Sequence, residues 1–207
     1  MRTLAIDCAT EACSVALFDG DSLVDGRYEI LGRGHAERLV PMIAELPDKG
    51  RAVRILVSLG PGSFTGVRIG LAAARALGIA WGAKVLGYPT LALVAAMAKD
   101  QADTREATVC MTGGHGEWFL QDFDRSGVPT DDVVSLSPDK AAGRAVHRLV
   151  AGSRAEELVA RLEGDHSACT MLPDARQAML LPDTVLTTAL APIYGRGPDA
   201  RLPESRR

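Results

Sequence analysis

The order of its segments constrains the fold of this chain more than any single motif. Apolar or alternating runs over 3–9, 13–20 and 21–30 predict three successive β-strands, with a hairpin turn at Gly20-Asp21. Helix-like and strand-like segments then alternate, at 34–46, 52–60, 66–81, 84–89 and 90–100. Three antiparallel strands followed by this alternation predict an α/β fold.

The second half of the chain repeats this order loosely after a polar stretch at 100–106. We therefore expect a first lobe over 1–104, a second lobe over 105–189, and an extended tail over 190–207 that packs back on the first lobe. The predicted elements of the second lobe are a hairpin over Gly-Gly-His-Gly, then segments at 131–137, 138 onwards, 145–152, 153–163, 168–172 and 173–181. Two such lobes predict a duplicated ribonuclease-H-like fold, the architecture of the actin, Hsp70 and sugar-kinase (ASKHA) superfamily.

Composition excludes several classes of protein. The 207 residues are 47% hydrophobic and 24% charged, with a net charge of −3, which argues against bulk electrostatic binding of nucleic acid. No apolar run reaches the roughly 18 residues of a membrane span, and the first residues resemble a strand rather than a signal peptide. The four cysteines lack CxxC spacing, so we expect buried thiols in a reduced, cytoplasmic protein with no membrane contact and no metal site.

The stretch "LGPGSFTGVRIGLAAARALG" places glycines between a strand and a helix. Gly60, Gly62 and Gly66 fit neither the dinucleotide-binding G-x-G-x-x-G pattern nor the Walker A motif. One interpretation is a tight strand-to-helix turn in which Ser63 or Thr65 caps the helix. The other is a loop whose backbone contacts an anion.

The helix that follows carries small residues at four-residue intervals, at Gly66, Gly70, Ala74 and Gly78. Each glycine inside a helix costs about 1 kcal/mol relative to alanine, so close packing should offset the cost. The packing element is either part of this chain or a helix of a partner.

Few residues have the pattern of a catalytic site. Asp7 and Thr10 follow the first strand, where an aspartate could face a metal-bound phosphate or could only accept hydrogen bonds within the turn. The turn "CATEAC" has no glycine, which makes close approach of a phosphate harder. His35 opens a helix, where capping or packing is the simpler interpretation, and no histidine pair has the spacing of a metal site.

Four segments together resemble the TsaB (YeaZ) family: "LAIDCATEACSVALFD", "HAERLVPMI", "LGPGSFTGVRIGLAAARALG" and "PIYGRGPDARLPE". The resemblance is strong over 1–100 and the tail, and rests mostly on element order over 105–190. Family members usually carry Asp-Ala-Arg near the start of the second lobe, where this chain has "MTGGHGE". The family supplies a non-catalytic subunit for threonylcarbamoyl-adenosine (t6A) modification of tRNA next to the anticodon.

The resemblance implies a set of partners. The subunit would bind the catalytic homologue TsaD through helices 35–46 and 66–81, an ATPase, TsaE, would join the pair, and TsaC would supply threonylcarbamoyl-adenylate. The tRNA would be bound by the complex, and the chain alone would form a homodimer through the same helices. The implied interface residues are His35, Leu39, Met42, Ile43, Leu46, Gly70, Leu71, Ala74 and Gly78, with Arg68 and Arg75 pairing with carboxylates at its rim. Substituting Ala74→Glu or Gly78→Leu should then abolish co-purification and leave the monomer folded.

The resemblance also implies that ATP and a metal belong to the partner subunits and that this chain has no cofactor of its own. The catalytic homologue carries two histidine metal ligands four residues apart, and the aligned positions here are Thr90 and Val94. Neither side chain replaces an imidazole ligand. Two alternatives stay open: a glycoprotease-like peptidase acting on a partner, and a nucleotide-binding phosphotransferase of the same superfold.

Overall fold

The computed structural model describes residues 1–102, 106–145 and 147–195. The first lobe is built on a five-stranded sheet with the order β3-β2-β1-β4-β5. Strands β1, β2 and β3 pair antiparallel, whereas β4 and β5 run parallel to β1. The elements are β1 (Arg2–Asp7), β2 (Ala12–Asp19), β3 (Ser22–Ile30), α1 (His35–Ala44), β4 (Arg54–Ser58), α2 (Phe64–Trp81), β5 (Lys84–Tyr88) and α3 (Thr90–Ala102).

The second lobe has a sheet of the same connectivity, with the order β8-β7-β6-β9-β10. The first three strands again pair antiparallel, and the last two again run parallel to the first. Its elements are shorter: β6 (Ala107–Thr112), β7 (Trp118–Phe123), β8 (Val134–Leu136), α4 (Pro138–Ala142), β9 (Leu149–Ala151), α5 (Ala155–Val159) and β10 (Ser167–Cys169). The repeated strand order confirms the duplicated fold predicted from the sequence.

The two sheets and the helices form five layers. Helices α1 and α2 pack on one face of the first sheet, while α4 and α5 pack on the far face of the second. Helix α3 lies between the sheets, and all its residues from Leu91 to Ala98 are buried. A helix that is apolar on every side is stable only when it is covered on every side. The two lobes therefore share one central core.

Some boundaries differ from the sequence expectations. The strand expected at 145–152 covers only Leu149–Ala151, and the helix expected at 153–163 covers Ala155–Val159. The segment expected to be helical at 173–181 forms a 3-10 helix at Ala175–Leu180. Thr90, expected as an N-cap, is the first residue of α3. Within the described ranges, no helix is both long and apolar enough to cross a bilayer.

The chain returns to the first lobe at residue 174, earlier than the expected 190. We call residues 174–195 the return segment. The Ala175 N–H donates to Ser14 Oγ at 2.9 Å, Thr187 pairs with Gly87 in an isolated antiparallel bridge, and the Ile193 N–H donates to the Leu59 carbonyl at 2.7 Å. The remainder of the expected tail, 196–207, lies outside the described residues.

Candidate functional site

The glycine and alanine stripe of α2 faces the first lobe and not a partner. Gly66, Gly70, Ala74 and Gly78 are all buried. A Cβ at Gly70 would lie 3.6 Å from Val57 Cγ2, and one at Gly78 would lie 2.5 Å from Val85 Cγ2. The stripe is small because the helix packs closely on its own sheet, which corrects the assignment of Gly70, Ala74 and Gly78 to an interface. Ala74→Glu and Gly78→Leu would disrupt the core, so they cannot test partner binding.

The buried side of α1 also packs against the first sheet. Leu39, Met42, Ile43 and Leu46 lie in the core beneath the first sheet, as does Leu71 of α2. His35 is buried as well, and its Nε2 lies 3.3 Å from the Ala12 carbonyl oxygen. These apolar side chains and the imidazole hold the helices to the lobe, so their assignment to the interface is also wrong.

The opposite faces of α1 and α2 are exposed and apolar. Val40 is 62% exposed and Ile79 is 87% exposed. The neighbouring exposed positions on the two helices are mostly alanines: Ala36, Ala44, Ala72, Ala76 and Ala80. We call these seven residues the helical face. A helical wheel centred opposite the glycine stripe could have identified the α2 part of it.

Arg68 and Arg75 lie at one edge of the helical face and hold the return segment. Arg68 hydrogen-bonds to the Tyr194 hydroxyl, and its guanidinium carbon lies 3.3 Å from the centre of the Phe64 ring. Arg75 Nη2 donates to the Leu190 carbonyl at 2.7 Å. Both arginines remain exposed. Within the chain, their partners are the return segment and Phe64, and their pairing with carboxylates of another subunit stays a prediction.

The Gly-Pro-Gly turn sets the start of α2 against the turn between β1 and β2. A Cβ at Gly62 would overlap the Ala9 carbonyl oxygen, and a Cβ at Gly66 would overlap the Cys8 carbonyl oxygen. Ser63 caps the helix, since its Oγ accepts from the Gly66 N–H at 3.2 Å. Close backbone packing accounts for the glycines, which favours the tight-turn interpretation.

A cavity of about 410 Å³ opens between the two lobes. The first lobe contributes residues 9–11 and 61–64, and the second contributes 111–114 and Ser153. Thr10 is part of this wall, and the divergent 112–118 loop supplies Thr112, Gly113 and Gly114. The sequence analysis did not identify Ser153. Its hydroxyl oxygen lies 3.1 Å from Thr112 Oγ1 of the same lobe.

Asp7 lies beneath this cavity and does not line it. Its carboxylate accepts from the Ala9 N–H at 2.9 Å and from the Tyr88 hydroxyl at 3.1 Å, and the side chain is 1% exposed. Burial raises the pKa of Asp7 to about 6, against the opposing effect of these hydrogen bonds. Asp7 is therefore an acceptor within the turn, as the simpler interpretation has it, and its nucleotide-facing assignment is wrong.

Thr90 and Val94, which the family resemblance implied to align with metal-binding histidines, are packed in the core. Thr90 Oγ1 lies 2.5 Å from Ser58 Oγ, and Val94 belongs to the central core around α3. Among the described residues, no group of three or more His, Cys, Asp or Glu side chains has the arrangement of a metal site. Neither Thr90 nor Val94 lines the cavity.

Comparison with known proteins gives consistent results. The family model "TsaD: tRNA N6-adenosine threonylcarbamoyltransferase" matches residues 29–181. The Escherichia coli K12 "tRNA threonylcarbamoyladenosine biosynthesis protein TsaB" is 38% identical over 135 residues, which is 62% of this chain and 58% of that protein. The match thus spans less than two thirds of the curated relative. YeaZ from Pseudomonas aeruginosa has a TM-score of 0.79 at 26% identity, over 93% of this chain and 99% of that chain.

A more distant structure agrees in fold alone. The ethanolamine utilization protein EutJ from Carboxydothermus hydrogenoformans has a TM-score of 0.51 at 11% identity, over 88% of this chain and 90% of that one. Together with the repeated sheet order, these likenesses define the class as a two-lobed α/β protein of the ASKHA type. The chain belongs to the TsaB (YeaZ) family, within the wider family that the TsaD model describes.

Proposed function

We propose that this chain is a non-catalytic partner subunit in the biosynthesis of t6A in tRNA, and that it binds the catalytic homologue TsaD through the helical face. One observation carries the proposal: α1 and α2 bury their large apolar side chains in the lobe and still present a second apolar face. Exposed apolar surface of this kind typically marks an interaction site. Small side chains such as Ala72 and Ala76 allow a partner helix to approach closely.

The core around α3 supports the non-catalytic role. Thr90 and Val94, which the resemblance implies to stand where the homologue has metal ligands, are both fully buried. The hydroxyls at the cavity are also engaged with backbone, since Ser63 Oγ accepts from the Gly66 N–H and Ser153 Oγ accepts from the Thr112 N–H. Over the described ranges, no histidine hydrogen-bonds to either serine, so the peptidase alternative gains no support from the geometry.

The remaining partners follow from the family. TsaE would join the pair, TsaC would supply the activated threonylcarbamoyl group, and tRNA would bind to the complex in the cytoplasm. ATP and the metal would be held by the partner subunits. In the absence of TsaD, the helical face would pair two copies of this chain.

Co-expression with TsaD of the same organism tests the proposal. Ala76→Glu places a charge in the middle of the helical face, so we expect loss of co-elution on size-exclusion chromatography and loss of t6A formation in vitro. Ala102→Glu is the matched control, because it makes the same exchange at an exposed position near the end of α3. It should leave co-elution unchanged. Both variants should keep the far-UV circular dichroism of the parent protein.

An Ala76→Glu variant that co-elutes with TsaD as the parent does would overturn the helical face as the interface. Full t6A formation by TsaD and TsaE without this chain would overturn the subunit role itself. Calorimetry with ATP and Mg²⁺ on the isolated chain tests the phosphotransferase alternative. We expect no binding heat.

A further inference from the structure

Cys8 and Cys13 face each other where β1 and β2 separate. The strand register pairs Ile6 with Val15 and Asp7 with Ser14, so Cys8 is opposite Cys13 one position beyond the ladder. Opposed residues of an antiparallel pair have Cα atoms about 4.5 to 5.5 Å apart, within the range of about 4.4 to 6.8 Å that a disulfide requires. The two sulfur atoms lie 3.6 Å apart. A disulfide bond is about 2.0 Å long, so the sulfur atoms must approach each other by about 1.6 Å.

The two thiols differ in acidity. The hydrogen bond between the two thiols, in which either sulfur can donate, lowers the pKa of Cys13. The same hydrogen bond, together with burial, raises the pKa of Cys8. Both thiols are buried, so the pKa difference alone ranks them: Cys13 is the more acidic, and Cys8 is placed to attack the oxidised Cys13 sulfur.

The turn that these cysteines enclose contacts both helices of the helical face and the cavity. The Ala9 carbonyl accepts from the Ser63 N–H at 2.7 Å, at the start of α2. The Glu11 carbonyl accepts from Leu31 at 2.9 Å and from Gly32 at 3.0 Å, just before α1. Residues 9–11 also form part of the cavity wall. A change in the turn is therefore transmitted to these backbone hydrogen bonds.

We propose that Cys8 and Cys13 form a reversible oxidation site, at which a peroxide-class oxidant closes an intramolecular disulfide that tightens the turn between β1 and β2. The Cys13 thiolate attacks one peroxide oxygen, the O–O bond breaks, and the departing hydroxide takes up a proton as water. The Cys8 thiol then attacks Sγ of the Cys13 sulfenic acid, the S–O bond breaks, and the departing hydroxide takes the Cys8 thiol proton and leaves as a second water. Two thiols lose two electrons in total, and the peroxide is reduced to two waters.

The other two cysteines serve as internal references. Cys110 is fully buried in the second lobe, whereas Cys169 is half-buried and hydrogen-bonds to Gln101 Oε1 at 3.5 Å. Because Cys169 is the most exposed of the four thiols, its oxidation shows that the oxidant is active. It has no described cysteine within hydrogen-bonding distance.

The test uses the folded full-length chain and hydrogen peroxide. Free thiols are blocked with an alkylating agent in denaturant, and the protein is cut with a glutamate-specific protease. Glu11 lies between the two cysteines, so cleavage there separates them unless a disulfide joins the fragments. We expect joined fragments that a reductant separates, in the parent protein and in Cys169→Ala. Cys8→Ala and Cys13→Ala should give separate fragments.

Amide hydrogen exchange provides the second measurement. The Ser63 and Gly32 amides donate to the turn, so their exchange rates should change in the oxidised protein and return after reduction. Free Cys8 and Cys13 beside an oxidised Cys169 would overturn the proposal. It would equally be overturned by linkage between chains only, or by linkage that forms only in denaturant. Unchanged exchange at Ser63 and Gly32 would disprove the coupling to the turn.

Discussion

Asp7 is a buried carboxyl group whose protonated form is favoured by burial. A protonated Asp7 can donate to the Tyr88 oxygen while Tyr88 donates to the Ile6 carbonyl, 3.1 Å away, and Ala9 donates to the second Asp7 oxygen. Every polar atom then has a partner, and no charge is buried. An asparagine offers the same donor and acceptor atoms in the same places.

We predict that Asp7→Asn removes a pH-dependent destabilisation. The pKa of Asp7 is raised from 3.8 to about 6, so between these values the native state holds a proton that the unfolded chain has lost. Stability should therefore fall as pH rises through this window, by about 3 kcal/mol, and stay level above it. The variant should lack this fall. Urea denaturation at several pH values between 4 and 7 measures the difference.

Asp19→Asn is a control for which we expect a change in the pH dependence of stability of the opposite sign. The N-terminal ammonium lowers the pKa of this exposed carboxyl group, so its contribution is lost as pH falls. Removing it should lower stability more at neutral pH than in acid. A pH dependence for Asp7→Asn identical to that of the parent would contradict the prediction for Asp7.

At the scale of elements, α2 contains glycines that serve different purposes. Gly66 allows the helix to touch the backbone of the turn after β1, because its Cβ would overlap the Cys8 carbonyl oxygen. Gly70 lies one turn further on, where an added Cβ would meet Val57, Cys8 and Ile6 at 3.6 to 3.8 Å, which is ordinary contact. The two glycines have the same four-residue spacing in the sequence, but Gly66 is required by the packing and Gly70 can be replaced.

We predict opposite effects for alanine at these two positions. Gly66→Ala should lower the free energy of unfolding by at least about 3 kcal/mol, because a carbonyl oxygen cannot move aside as a flexible side chain can. Gly70→Ala should raise it by about 1 kcal/mol through higher helix propensity. Thermal denaturation followed by circular dichroism compares the two variants directly. Equal effects would show that α2 does not rest on the turn as described.

At the scale of the whole molecule, α3 packs against both lobes. Its residues Leu91 to Ala98 contribute to a core that also contains Phe18 and Leu56 of the first sheet and Phe119 and Phe123 of the second. Leu93 is fully buried in this helix. A cavity there should weaken the packing of both sheets at once.

We predict that Leu93→Ala costs about 2 to 5 kcal/mol and that both lobes unfold in one transition. The chain has two tryptophans, Trp81 in the first lobe and Trp118 in the second, so Trp118→Phe and Trp81→Phe give fluorescence probes of one lobe each. Urea midpoints from the two probes should coincide, with and without Leu93→Ala. Two separate midpoints would show that the lobes are independent domains joined by a linker.

Much of the architecture could be predicted because it depends on local patterns. Alternation and apolar runs marked the strands of the first sheet, and the Gly-Gly-His-Gly hairpin of the second lobe is confirmed between β6 and β7. The helical segment at 173–181 was predicted, but its 3-10 form at Ala175–Leu180 and the early return of the chain were not. Their positions depend on contacts with Ser14 and with the first sheet, which are distant in sequence.

The sequence assigned the interface to sides of α1 and α2 that the structure buries, and partner binding by these helices stays a prediction. The four-residue stripe in α2 showed that something packs closely there, which is true, but the spacing is the same whether the neighbour is a partner helix or the chain's own sheet. Leu39, Met42 and Ile43 were likewise assigned to the partner interface, and the structure buries them in the lobe. A single sequence does not say which side of an amphipathic helix the sheet will cover when both sides carry apolar residues.

The sequence by itself determined the order of elements along the chain, the duplication and the family resemblance, because these depend on residue periodicity and on motifs that extend along the chain. Only the tertiary structure decided which face of each helix is free, where the return segment binds, and that Cys8 lies against Cys13. Those features arise when close packing brings residues from separate segments together. Most large apolar side chains of the two helices are buried by packing within the chain. A partner can bind only the apolar residues that stay exposed, here Val40, Ala76 and Ile79.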